Sequence, residues 1–514
     1  MRNSKATPRH KRAGRTVSAA TTTSTVFEAG SASRRTVGWF APTLSPNREV
    51  IPQLSLLRAR ARAAVRNDGY ATGVISKLTS NIVGTGIKPL SEAADKAFRL
   101  AAHALWYRWT DESDADGLLD FYGQQRQAVS CWLTAGEVFV RLRDRLPIDG
   151  LSVPLQVQVI EPEVCPETHF GVALNGNLIR AGIEFDKIGR RVAYYFYAPS
   201  KFTSLDDYNT GEYRRIPAEQ VIHLYDPVRP GQLRGTPHLS QALITLRELT
   251  KFNDAMLLRQ QLSAMFVAFL KHSQDESSAA KLAEAEPAGN SGGRPALGLQ
   301  PGLFQDLAPG EEVDFSKPPD PAQGSLDFVK QVLYSVAAAT DVPYEVLTGD
   351  LRGVNDRTVR VILHEFRRVI QSKQHHIVVF QLCRTVWNAW LDRAFLSQAL
   401  PFGGDYLSQS YAWQRACWQP QGWPYIHPVQ DVQAQKDANR GGFTSRSQIA
   451  AEQGEDSEVI DAQQAVDNAR ADSLGLKYDS DGRKPASGSG AGAGANQDAG
   501  GGDVPPDAGG DSNA

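Results

Sequence analysis

His364-Glu365 begins like the helical zinc signature, in which two histidines four residues apart hold a metal and the glutamate between them acts as general base. Position 368 is arginine, so the second ligand is missing. Gly289-Asn290-Ser291-Gly292-Gly293 superficially resembles the nucleophile loop of trypsin-like proteases, but it lies in a polar, Pro/Gly-rich stretch with no strand-rich barrel around it. His375 and His376 are adjacent in a helical pattern, where neighbouring side chains point about 100° apart, so at most one faces a given partner. Asp111/Glu112 and Asp206/Asp207 fall in turn-like polar stretches, where carboxylates cap backbone or face solvent. The phosphate-cradling GxxxxGK[ST] loop is absent. Cys131, Cys165, Cys383 and Cys417 show no CxxC spacing and read as reduced core thiols. No catalytic residue, metal or cofactor is expected, and the chain reads as a protein that is not an enzyme.

The elements that would position such residues say more. The chain has 514 residues, 41% apolar and 22% charged, enough for two to four domains with a substantial core. Its formal net charge of −2 argues against a large phosphate-neutralising surface. The most apolar stretch, 377–391, is broken by Gln381, Arg384 and Asn388, so it reads as a buried helix and no membrane span is expected. Residues 1–35 are basic, rich in Ser and Thr and without an apolar h-region; they read as a disordered arm rather than a secretory signal.

From Gln53 to Ile82 the pattern is helical, interrupted at Asn67-Asp68-Gly69. Further helices are expected over Asp95–Trp109 and Asp120–Ala135, the latter stopped by Gly136. Alternation then predicts strands at 138–142, 155–160, 179–185, 192–197 and 216–225, with Asn175-Gly176-Asn177 as a hairpin turn. This is an α+β domain: a mostly antiparallel sheet of about five strands beside a helical group. Next comes a run without proline or glycine from His238 to Glu286, introduced by Thr236 as cap and Pro237 as first helical residue. Leu239, Leu243, Leu246, Leu249, Phe252 and Met256 recur at three- and four-residue steps. A helix to His272 would be about 54 Å long and would need partners along most of its length. Leu246 and Leu249 are expected among the residues packed between copies. Two more helices, 325–340 and 358–395, flank a loop at 347–357, and shorter ones are expected over 429–439 and 447–474. From about Ser480 the chain is Gly, Ala, Ser and Asp and reads as a disordered tail.

Several segments together resemble the portal proteins of lambda-like tailed bacteriophages. They include Arg66-Asn67-Asp68-Gly69-Tyr70-Ala71, Asn81-Ile82-Val83-Gly84-Thr85-Gly86-Ile87-Lys88-Pro89 and Gly136-Glu137-Val138-Phe139-Val140-Arg141. Gly182-Ile183-Glu184-Phe185-Asp186, Arg229-Pro230-Gly231-Gln232-Leu233-Arg234-Gly235 and Val342-Pro343-Tyr344-Glu345-Val346-Leu347-Thr348-Gly349-Asp350 follow in order. Val354-Asn355 with Arg360, Gly442-Phe443-Thr444-Ser445-Arg446 and Ala451-Glu452-Gln453-Gly454-Glu455-Asp456 complete the set, which spans 36–476. One departure is Asp356-Arg357-Thr358, where the family tends to carry a Tyr-Ser-Ser-like stretch.

The resemblance implies a portal fold assembled as a dodecameric ring around a channel for double-stranded DNA, at one capsid vertex of the virion after assembly in the host cytoplasm. It implies a wing at 36–235, a stem helix at 236–272, a clip at 273–324 and a second stem helix at 325–346. A tunnel loop at 347–357, a long helix and wing/crown base at 358–428 and crown helices at 429–479 follow. Arg352, Asn355 and Arg357 would face the channel from the loop, and Lys251 and Arg259 from the stem. The implied partners are further copies of the chain, the terminase large subunit, major capsid and scaffold proteins, head–tail connector proteins and the passing DNA. A packaging enzyme and a monomeric head–tail adaptor are the competing readings; the missing phosphate loop weighs against the first, and particle size separates the second.

Overall fold

The computed structural model describes residues 37–199, 208–264, 268–272, 311–315, 322–402, 406–425 and 427–478, with Arg34 and Arg483. Residues 1–33 of the expected arm, 273–310 of the expected clip, and the tail from 484 lie outside the described residues.

Helices Pro46–Asn67 and Gly69–Ile82 meet at Asp68. Its extended backbone breaks the run, and its Oδ1 accepts from the N–H groups of Tyr70 and Ala71 at 2.8 and 2.9 Å. Such a cap stabilises a helix by about 1 kcal/mol. Leu54, Ala61, Ala71, Val74, Leu78 and Ile82 are fully buried. Strand β1 (Lys88–Ser91) leads to helices Lys96–Glu112 and Phe121–Ala135, capped by Asp95 and Asp120. Trp106 gathers Trp109, Phe121, Trp387 and Trp390 with ring centroids 4.9–5.4 Å away, in the main core.

The expected strands form two sheets rather than one. Strands β2 (Glu137–Asp144), β3 (Leu155–Ile160) and β9 (Val221–Tyr225) make an antiparallel sheet in the order β3-β2-β9. The second sheet is an antiparallel meander of β4 (Gly171–Val172), β5 (Leu178–Arg180), β6 (Ile183–Phe185), β7 (Arg191–Pro199) and β8 (Tyr208–Pro217). The strand expected at 179–185 is split because Ala181 and Gly182 take left-handed conformations (φ 51° and 79°) and turn the chain back on itself. The strand expected at 216–225 is split at Pro217, which has no N–H to extend the ladder; a 3₁₀ turn, Ala218–Gln220, then hands the chain to the other sheet.

The long helix is shorter than its periodicity implies. Thr236 is not its cap; Pro237 precedes a 3₁₀ turn, His238–Gln241, and the helix proper is Leu243–Ala264. Residues 268–272, expected as helix, form strand β10 (Ala268–His272), antiparallel to β11 (Glu311–Phe315). A short apolar run fits helix or strand equally, and here a cross-strand partner decides. Helix Ala322–Thr340 returns, and a five-residue helix, Tyr344–Thr348, precedes the loop.

The path from Asp356 to Leu396 is continuous but not uniform. Helix Asp356–Lys373 passes into a π-helical stretch, Gln374–Cys383, and then helix Arg384–Leu396. The wider turn of a π stretch changes which residues share a face. Gln374 Nε2 donates to the carbonyls of Ile82 and Asn81 at 2.8 and 3.3 Å, while Gln381 pairs with both backbone groups of Tyr225 at 3.0 and 3.1 Å. One helix thereby ties a helix C-terminus and a sheet edge together. Helix Tyr406–Gln414, strand β12 (Ala416–Gln419) pairing with β1, and helices Pro428–Arg440, Arg446–Glu452 and Ser457–Ser473 complete the chain. The helix expected over 447–474 is broken at Gln453-Gly454-Glu455-Asp456, where Gly454 is left-handed and Asp456 caps the next helix. No helix of the described residues is long and apolar enough to cross a membrane.

Candidate functional site

The loop between the helices is built by local pairing. Gly349 (φ 73°) ends the short helix, and Asp350 then closes a ring of bonds. Its Oδ1 accepts from Arg352 N–H and Nε at 3.1 and 2.8 Å, and its Oδ2 from Arg352 Nη2 and the Tyr344 hydroxyl at 3.0 and 3.2 Å. Arg352, through its guanidinium and backbone N–H, holds the Asp350 carboxyl well below the usual carboxylate range. The Arg352 side chain is nonetheless 90% exposed. Asn355 supports the backbone: its Oδ1 accepts from the N–H and the hydroxyl of Thr358, both at 2.9 Å, and caps the long helix. Asp356 accepts from His427 at 2.9 Å and lies 3.7 Å from Arg360. Arg357 is exposed and makes no ion pair among the described residues.

Leu246 and Leu249, expected between copies, are buried in their own chain at 1% and 3% exposure. Leu246 joins the main core, and Leu249 packs with Leu333, Ala337 and Tyr344. The helix Leu243–Ala264 has an intramolecular partner in Ala322–Thr340, which periodicity alone could not identify. The apolar side chains left outside are Ile244, Leu257 and Leu258 on one helix and Leu326, Phe328 and Tyr334 on the other, 47–76% exposed. Lys251 pairs with Glu248 at 2.7 Å, both more than half exposed, and Arg259 is exposed.

A buried ionic cluster that no sequence motif announces holds three distant segments. Glu137, fully buried, accepts from Arg58 Nη2 (2.9 Å), Arg234 Nε (2.7 Å), the Gly235 N–H (2.9 Å) and His223 Nε2 (2.9 Å). Burial opposes its charge, but Arg234 and then His223 hold its carboxyl well below the usual range. Burial pushes the His223 imidazole down to about 4, so at neutral pH it is uncharged. It donates from Nε2 to Glu137 and accepts at Nδ1 from Arg191 at 3.2 Å. Arg234 also donates to the carbonyls of Cys165 and Ala181 at 3.0 Å, which fixes the Ala181-Gly182 turn. Glycines permit this approach: a Cβ on Gly235 would lie 2.0 Å from the Gly136 carbonyl oxygen, and one on Gly136 would lie 2.4 Å from the backbone of Thr236. The Gly136-Glu137 and Arg234-Gly235 segments of the family pattern are thus one contact in space.

Helical hairpins beside two antiparallel sheets and a long helix pair make a mixed, mainly helical fold with antiparallel sheets. The sequence model for "Phage portal protein, lambda family" matches residues 32–374. The chain belongs to the lambda family of phage portal proteins. It is 26% identical over 445 residues to the probable portal protein of Halomonas phage phiHAP-1, covering 82% of this chain and 81% of that one. It is 23% identical over 477 residues to the portal protein of Escherichia phage N15 (85% and 88%) and over 482 residues to portal protein B of Escherichia phage lambda (85% and 88%). Among solved structures it is similar to a chain of the virion of a native gene transfer agent particle, at TM-score 0.41 and 13% identity, covering 78% of this chain and 93% of that one. An HK97-family phage portal protein from Corynebacterium diphtheriae matches at TM-score 0.29 and 11% identity, over 67% and 91% of the two chains.

Proposed function

We propose that this portal protein assembles as a closed dodecameric ring at one capsid vertex, through which double-stranded DNA is packaged by the terminase motor and later ejected. The observation that carries this is the family match over residues 32–374. The exposed Leu257, Leu258, Leu326 and Phe328 support it, because apolar side chains on a helix pair need a neighbouring surface. In this reading the sheets and the first four helices are the wing. Leu243–Ala264 and Ala322–Thr340 are the stem, and the segment entered through β10 and left through β11 is the clip. The clip receives the terminase large subunit and afterwards the connector proteins, while capsid and scaffold proteins meet the wing. The helices of 428–473 form the crown. The protein performs no catalysis itself; the motor supplies the work.

The loop at 347–357 lines the channel, with Arg352 and Arg357 as transient phosphate contacts. A second reading, a plain helix–helix turn, is favoured at Arg352 by its bonds to Asp350. The double change Arg352→Ala and Arg357→Ala separates them. If the loop contacts DNA, rings assemble normally but particles package or retain less DNA; packaged lengths equal to the parent's assign the loop to a turn.

A further inference from the structure

The two sheets close over an apolar strip and then present arginines to one opening. The strip is formed by Phe139 and Val221 from one sheet and Ile183, Phe196 and Ile216 from the other. Beyond it on β2, Arg141 and Arg143 stand opposite Gln158 and Gln156 of β3, on the face shared with Phe139. Arg145 follows two residues on, its Nε donating to Gln156 Oε1 at 2.8 Å. From the facing sheet comes Arg214, opposite Phe196 on β7 and two residues before Ile216. Burial, then Arg143, Arg214 and Arg145, lower the pKa of Arg141; burial, then Arg145 and Arg214, lower that of Arg143. Arg141 Nε is buried without an acceptor. Among the described residues Arg141, Arg143 and Arg214 make no ion pair, and the carboxylate acting on Arg143 is Asp116, which accepts from Gln158 at 3.3 Å.

Like charges side by side on a sheet repel and weaken it, and a bound anion removes that cost. Alternate arginines on a strand are about 7 Å apart and present planar forks suited to oxygen anions. Across the strands Arg141 faces Gln158 and Val221 and Arg143 faces Gln156, and the amide N–H groups of both glutamines are already engaged by Glu112, Asp114 and Asp116, so the charge offered to a ligand is that of the arginines. We propose that this opening binds successive phosphates of a DNA backbone, as a second DNA contact separate from the loop at 347–357. This rests on the ring reading above.

Covalently closed circles of duplex DNA cannot thread a closed ring, so their binding reports surfaces outside the channel. Purified assemblies are imaged for ring closure and titrated with such circles across a salt series. The parent ring should bind with log affinity falling against log salt at a slope of about −3 to −4, the value for four phosphate contacts. Changing Arg141, Arg143, Arg145 and Arg214 together to Ala should flatten the slope and lower affinity about tenfold or more at low salt. If that variant fails to assemble, Arg143→Ala and Arg214→Ala singly should each reduce the slope by about one. The Arg352→Ala/Arg357→Ala ring should bind circles like the parent. The proposal is overturned if the parent ring ignores circles, if the arginine variants keep the parent slope, or if the loop variant alone abolishes binding. Arginine-dependent binding of poly-glutamate without binding of circles would instead assign the opening to an acidic protein segment. Absence of rings in the images counts against the ring reading; loss of circle binding in the arginine variants but not in the loop variant still assigns the contact to these arginines.

Discussion

Glu137 sits fully buried between Arg58, Arg234 and the neutral His223, where breaking one of its buried arginine pairs costs about 3–5 kcal/mol. The neutral state of His223 gives this cluster a pH signature. Its folded pKa of about 4 lies below the ordinary 6.5, so the unfolded chain takes up a proton between those values that the folded chain refuses. The contribution is complete above pH 6.5 and is lost as pH falls towards 4, about 3 kcal/mol in all. His223→Gln keeps a donor for Glu137 and an acceptor for Arg191. Thermal unfolding of that variant should therefore show a shallower loss of stability between pH 6.5 and 4, the remaining slope coming in part from His103 and His238, which burial also lowers. An unchanged slope would mean that His223 is not the titrating group. None of this cluster is legible in the sequence: Glu137 lies 79 residues from Arg58, 86 from His223 and 97 from Arg234, and no local pattern pairs them.

At the scale of elements, the periodicity of the first half of the chain is a faithful guide where caps and glycines punctuate it, as at Asp68, Asp120 and Gly136. It misjudges the reach of the helix after Pro237, because residues 268–272 are apolar enough for either state and their strand partner lies at 311–315. It also assigns Leu246 and Leu249 to a neighbouring copy when helices of the same chain cover them. The two kinds of leucine on Leu243–Ala264 can be told apart. Leu246→Asp buries an unpaired charge in the core and should lower unfolding stability by about 3–5 kcal/mol or prevent folding. Leu257→Asp with Leu258→Asp alters exposed positions, so the chain should stay folded, within about 1 kcal/mol of the parent in denaturant unfolding, while its fraction in assemblies falls. Intact assemblies in the second variant would remove those leucines from the proposed interface.

For the whole molecule, a net charge of −2 says little about where charge is placed. The loop arginine Arg352 is already engaged by Asp350, which suits transient contact with a moving polyanion. Among the described residues Arg141, Arg143 and Arg214 between the sheets make no ion pair, which suits a held one. The family is legible in sequence because its segments recur in order along the chain; the assembly is not, because each lateral contact needs a second copy. Everything proposed for the channel depends on copies of this chain closing into a ring, and electron microscopy of the purified protein decides that. Closed rings with a central channel are expected, twelve-fold in projection, with Leu243–Ala264 and Ala322–Thr340 packed against the same helices of adjacent copies. Particles of the size of a single 56.1 kDa chain, or assemblies without a closed channel, would contradict it.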